Sequence, residues 1–189
     1  MERMGTMTKQ VQYAVADSLR SGDIRRLRGR LGLTQAEFAR LVHVSKPTVE
    51  RWETTDGEIS GPIVLLVKLL EEYPEWEQEL QVPEKTYPMR LWYMNGNTVC
   101  TVIDVDEQRQ RVRIYNYTRD LLYRAFGKIE KPTFQEYEEF LESRCFPRER
   151  DKMKLVLRDL DLPFYDPLMI IEKTEGRMAE DHFWIRIER

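Results

Sequence analysis

The stretch LTQAEFARLVHVSKPTVERW, residues 33–52, decides how the rest of the chain is read. It divides into two short helical patterns around a tight turn, the layout of a helix-turn-helix. Thr34 stands where an N-cap belongs and Glu37 follows three residues later, the spacing of a capping box. Ala36, Phe38, Ala39, Leu41 and Val42 supply the inward face of the first helix. Ser45 can cap the second, and Pro47 falls in its first turn, where a missing amide hydrogen costs nothing. Val49 and Trp52 lie on one side and turn back toward the first helix, which leaves Lys46, Pro47, Glu50 and Arg51 on the open side. A helix with one buried stripe and a polar tip suits a major groove.

Charge around this stretch is uneven. Residues 20–51 hold eight Lys/Arg against three Asp/Glu, whereas residues 53–84 hold nine Asp/Glu against Lys68 alone. With a net charge of −3 over 189 residues, the chain is not built to coat nucleic acid indiscriminately, so a basic surface must be local and oriented. A hydrophobic fraction of 41% and an aromatic fraction of 11% suit globular cores. The two cysteines, Cys100 and Cys145, are too far apart for a metal knuckle and suit a reducing cytoplasm, and no apolar run reaches membrane length.

Upstream, residues 8–20 read as a weak amphipathic helix or flexible arm, with Val11, Val15 and Leu19 four apart. Residues 21–31 form the next helix, started by Ser21 or Asp23, buried along Ile24, Leu27 and Leu31, and stopped by Gly32. Arg28 sits beside the buried edge, with Glu53 as its expected ion-pair partner; Arg25, Arg26 and Arg30 are the solvent-facing candidates for phosphate. Downstream, Ser60 is expected to cap a helix running to residue 73, and a short helix over 74–81 closes an all-helical bundle.

Residues 24–53, IRRLRGRLGLTQAEFARLVHVSKPTVERWE, resemble the Cro/repressor (XRE) helix-turn-helix family. The S-G-P…LL…LL…Y-P-E pattern that follows is similar to the branch found in HigA-type and MqsA-type antitoxins, and the resemblance covers about residues 21–81. It implies that Gln35 braces phosphate at the start of the first motif helix, that Ser45 and Thr48 contact backbone or base, and that Lys46, Pro47 and Arg51 face base edges. From their positions on the chain, Thr34, Glu50, Arg25 and Arg26 are counted as further DNA-binding candidates. The Arg28–Glu53 pairing also belongs to the family pattern. Two positions depart from it. His43 fills the turn position commonly held by glycine, and residues 54–58 lack the basic side chains that often grip the next phosphate.

Residues 83–88, with Pro83 and Pro88, read as a stiff linker after a first domain over 21–82. Residues 89–189 read as an α+β domain. A strand over 89–94 meets the hairpin signal Asn95-Gly96, and Val99, Thr101, Ile103 and Val105 alternate along the return strand. A third strand carries Val112, Ile114, Tyr115 and Tyr117. Three helices are expected next, capped by Thr133, started by Pro147, and opened by Asp166-Pro167, and residues 182–187 form a final strand joining the meander. The expected architecture is therefore multi-domain: an N-terminal all-α helix-turn-helix bundle plus a C-terminal α+β domain with a three- to four-stranded antiparallel sheet.

No motif points to catalysis, metal or cofactor. Cys145 lies between Arg144 and Phe146 without an adjacent base and reads as a structural thiol, and the glutamates over 130–142 read as a solvated helix face. Arg144, Arg148 and Arg150 are spaced to meet an acidic partner, a nucleic-acid backbone, or neighbouring glutamates. The C-terminal domain resembles no characterised family; its last 50 residues are similar to the tails of small proteins encoded near mobile genetic elements, which assigns no activity. The sequence thus points to a cytoplasmic, non-enzymatic repressor that autoregulates, binding double-stranded operator DNA as a homodimer. The alternative is a mobile-element protein whose residues 89–189 bind and inhibit a protein partner. An enzyme acting on nucleic acid ranks third.

Overall fold

The computed structural model describes residues 13–149 and 151–189. They fall into two units, divided between Gln81 and Val82. In the first, five helices follow one another: α1 (Ser21–Arg30), α2 (Gln35–Leu41), α3 (Lys46–Thr54), α4 (Pro62–Glu72) and α5 (Glu75–Leu80). Ile24, Leu27, Phe38 and Val49 are wholly enclosed, and Val67 and Leu70 of α4 close the core from the other side. Burying a side chain the size of Phe38 contributes about 2–3 kcal/mol, so this cluster holds α1, α2 and α3 around one centre.

Three local expectations change in this unit. Residues 13–20 form no helix; Leu19 instead exchanges two backbone hydrogen bonds of 2.8 Å with Ile59. The part of that expectation on residues 8–12 lies outside the described residues. Helix α1 is capped at Arg20, whose amide donates to the Asp23 carboxylate at 2.8 Å. Helix α4 has Gly61 and not Ser60 as its N-cap, with no side-chain cap and a φ of 99° that only glycine adopts readily.

The second unit is a four-stranded antiparallel sheet with helices on one face. Its strands are β1 (Met89–Asn95), β2 (Thr98–Asp106), β3 (Arg111–Asn116) and β4 (Phe183–Glu188), in the order β3-β2-β1-β4. Helices α6 (Phe134–Ser143), α7 (Met153–Asp159) and α8 (Pro167–Thr174) lie between β3 and β4 in sequence, after a single 3-10 turn, Leu121–Tyr123. Leu91, Ile103 and Ile185 meet Tyr137, Ile170 and Ile171 in the core.

The hairpin turn is Gly96-Asn97, one residue later than the Asn95-Gly96 signal indicates, because Asn95 still pairs with Thr98. A bulge opposite Tyr93 and Met94 absorbs Cys100 and shifts the register, and Gly96 takes the positive φ of 52°. Pro147 does not open a helix; α7 begins at Met153, after Lys152 in a left-handed conformation. Within the expected linker 83–88, the Thr86 amide donates to Asp104 at 2.8 Å, so this segment is already tied to the sheet.

Two buried arginines organise the second unit. On the sheet face away from the helices, Arg90 donates twice to Asp104, at 2.6 and 2.9 Å, with both residues excluded from solvent. Arg144, read as meeting an acidic partner, a nucleic-acid backbone or neighbouring glutamates, is only 7% exposed and fastens β4. Its guanidinium donates to the Gly176 and Phe183 carbonyls and to Asp181, the shortest at 2.7 Å. Arg150 lies outside the described residues. No helix among the described residues is long and apolar enough to cross a membrane.

Candidate nucleic-acid interface

The first motif helix begins as its sequence demands. Thr34 Oγ1 accepts the Glu37 amide at 3.3 Å while the Glu37 carboxylate accepts the Thr34 amide at 2.7 Å, which occupies the side chain of Thr34 in capping. The turn closes with the Val44 amide on the Ala39 carbonyl at 2.9 Å and the His43 amide on the Arg40 carbonyl at 3.3 Å. These are the two bonds of a Schellman motif, and they force the residue after the C-cap into the left-handed region, where His43 stands at φ 55°. The side chain of His43 is exposed.

Helix α3 starts on Ser45, whose Oγ accepts the Thr48 amide at 3.3 Å and lies 2.8 Å from the Thr48 hydroxyl. Pro47 sits in the first turn. Val49 is fully buried and Trp52 packs beside it on the helical core. The opposite edge is open: Ser45, Lys46, Pro47 and Arg51 are exposed, and Thr48 and Glu50 are partly so. Lys46 and Glu50 pair across one turn at 2.8 Å, whereas Arg51 has no ion-pair partner among the described residues.

What orients α3 is a polar hub at its far end. Glu53, 4% exposed, accepts Arg28 Nε at 2.6 Å, Arg28 Nη2 at 3.2 Å and Gln35 Nε2 at 2.7 Å. Arg28 also donates to the Leu33 carbonyl at 2.9 Å, and Arg25 donates to the Glu53 carbonyl. Burial alone raises the Glu53 pKa, but the hydrogen bonds from Arg28 and Gln35 outweigh it and hold the carboxyl below its ordinary value. One carboxylate therefore ties α1, the start of α2 and the end of α3 into a single body.

This hub redistributes several residues expected on the duplex. The Gln35 amide points inward to Glu53 rather than out toward a phosphate. Arg25 is exposed but anchored to the end of α3 by one nitrogen. Arg26 pairs with Asp23 at 2.8 Å and Glu71 at 3.6 Å, and Arg30 donates to the Leu70 carbonyl at 2.8 Å, so both serve the α1–α4 side and not the α3 side. Side-chain direction of this kind is a tertiary property, and the sequence carried no signal for it. Elsewhere, Cys145 is buried and its thiol donates to the Pro167 carbonyl at 3.5 Å; burial, then the nearby acids, push its pKa up to about 12. That is the reverse of an activated nucleophile. Among the described residues no His/Cys/Asp/Glu group is spaced to hold a metal ion.

Comparison with known proteins agrees with this geometry over the first unit. Residues 22–70 match a family model described as a helix-turn-helix domain. A stretch of 53 residues is 36% identical to Antitoxin HigA-2 of Vibrio cholerae serotype O1 (strain ATCC 39315 / El Tor Inaba N16961), covering 28% of this chain and 51% of that protein. The chain thus spans about half the length of this curated relative. Residues 22–70 form an XRE-type helix-turn-helix domain, and this family match ends before the second unit begins at Val82.

Proposed function

We propose that the protein is a sequence-specific DNA-binding repressor of the antitoxin type, which reads an inverted-repeat operator as a dimer through α3. The observation that carries this reading is the two-sided character of α3. Val49, Trp52 and the Glu53 hub fix one side, and the edge formed by Ser45, Lys46, Pro47 and Arg51 stays open. Lysine and arginine at such an edge reach guanine acceptors, and hydroxyls at a helix start hold phosphate. The likeness to an antitoxin supports the regulatory class. Two copies would place their α3 helices about 34–36 Å apart on one face of the duplex. The reading assigns catalysis to neither unit.

Operator selection from a random duplex pool tests it, followed by competition binding with Lys46→Ala and Arg51→Ala. Each substitution should cost about 1–3 kcal/mol of discrimination without unfolding the domain. Affinity should fall steeply with salt. Unchanged preference in both variants, or no duplex affinity at low ionic strength, sinks the reading.

A second reading rests on the independent core of the second unit, with its own sheet and helices. Here that unit binds and inhibits a protein partner, and the helix-turn-helix autoregulates the operon. Residues 82–189 should then bind the partner alone; recovery of DNA-dependent, full-length complexes only would count against it.

A further inference from the structure

The sheet face away from the helices carries aromatic and cationic side chains that operator reading by α3 does not use. Strand register fixes its rows: Tyr115, Val102, Trp92 and Arg186 lie side by side across β3, β2, β1 and β4. The next row is Arg113, Asp104, Arg90 and Glu188, and on the other side Trp184 stands beside Met94. Tyr117, just past β3, belongs to the same face: burial raises its pKa, and Arg90, Tyr115 and Asp104 all act on it. Trp92, Tyr115, Tyr117 and Trp184 are thus gathered on one side of the sheet, each partly exposed.

The two indoles are held by their polar edges. Trp92 Nε1 donates to Glu188 at 3.1 Å, and Trp184 Nε1 donates to the Gly96 carbonyl at 2.7 Å. The Arg186 guanidinium lies 4.6 Å over the Trp92 ring, and that of Arg177 lies 4.9 Å over Trp184. Charge on this face is lopsided. Its exposed members are Arg111, Arg113 and Arg186 against Glu188, because Asp104 and Asp106 are buried. Asp104 is already satisfied by Arg90 and the Thr86 amide. Among the described residues Arg111, Arg113 and Arg186 make no ion pair, so their charge is open to an anion from solution.

We propose that this face binds single-stranded nucleic acid, with bases stacked on Trp92, Trp184 and the Arg186 guanidinium, and phosphates drawn by Arg111 and Arg113. Rings whose polar edges are already bonded offer their faces alone, and a ring face suits any unpaired base. A duplex keeps its bases in their own stack and cannot use such a surface. Three exposed cations against one acid supply the complementary charge for a phosphate chain. The site lies on the second unit and makes no use of α3, so it stands or falls separately from operator reading.

The full-length protein is titrated into fluorescein-labelled oligouridylate and, separately, oligothymidylate of about 12 nucleotides, with anisotropy and tryptophan quenching as readouts. Saturable binding of either, with quenching and with affinity that falls as salt rises, is expected, and the tighter of the two names the kind of strand. Trp92→Leu should weaken that binding roughly tenfold. Arg186→Ala, at an exposed position, should weaken it roughly fivefold and carries the test if the Trp92 variant fails to fold. The double variant Lys46→Ala, Arg51→Ala should leave it unchanged, which separates this surface from α3. No saturable binding of either oligomer, wild-type affinity in Arg186→Ala, or loss of binding in the α3 variant overturns the proposal.

Discussion

Replacing Glu53 by glutamine removes one charge and no volume from the hub that sets the direction of α3. The glutamine can still accept one hydrogen bond, but its amide group turns donors toward Arg28 or Gln35, which are themselves donors. Opposite charges about 4 Å apart attract by roughly 4 kcal/mol at an effective dielectric of 20. Breaking a fully buried pair from one side costs about 3–5 kcal/mol. The Arg28 side chain keeps 23% of its exposure, so water recovers part of that loss. We expect about 2–3 kcal/mol, read as faster hydrogen exchange at the α1 and α3 amides. The effect must also titrate. The folded carboxyl lies below its ordinary value of 4.5, so the stability it contributes is complete above pH 4.5 and is lost as the pH falls through the lowered folded value. The gap between wild type and Glu53→Gln should therefore narrow in acid. A gap under about 1 kcal/mol at neutral pH, or one that stays constant down to strong acid, would refute the assignment of Glu53 as the hub.

His43→Gly should raise the unfolding temperature by relieving about 0.5–1 kcal/mol of left-handed strain at an exposed position, as followed by far-ultraviolet circular dichroism; a fall would show that the imidazole makes a compensating contact. Asp104→Asn should cost the second unit about 3–5 kcal/mol in a urea titration, since Arg90 is left buried and unpaired. The double replacement Arg90→Met, Asp104→Leu should recover most of that loss. Both thiols are buried with raised pKa values, so Ellman's reagent at pH 8 should label them only as fast as the protein opens; an immediate reaction at either cysteine would contradict the packing.

What the sequence made legible was whatever neighbouring residues settle among themselves. Thr34 with Glu37, Ser45 with Thr48, Thr133 with Glu136, and Asp166 with the Met169 amide are contacts over three positions, and each helix begins where its cap stands. The left-handed site at His43 was readable for the same reason. The four-stranded sheet and the helical bundle followed from hydrophobic period and turn chemistry. What escaped depends on partners far along the chain. The Asn95–Thr98 pair, which places the turn one residue later, and the Cys100 bulge beyond it are both set by pairing across the hairpin. Gln35, Arg26 and Arg30 carried the right chemistry for phosphate, but Glu53, Glu71 and the Leu70 carbonyl claim them. The burial of Arg90 with Asp104 and the enclosure of Tyr137 near Glu107 leave no local trace at all.

The Lys46–Glu50 pair bears on selectivity. Two exposed side chains one turn apart bind each other by only about 0.3–0.5 kcal/mol, so any better acceptor displaces Glu50 at once. Once released, the glutamate sits beside the docking lysine and repels every phosphate within reach. The exocyclic amino groups of cytosine and adenine are the base-edge donors in the major groove, and cytosine is the usual partner of a carboxylate. On the proposed duplex the acid thus works as a toll on indiscriminate contact: a site that offers Lys46 an acceptor and Glu50 a donor keeps the protein, and random duplex lets it slide away.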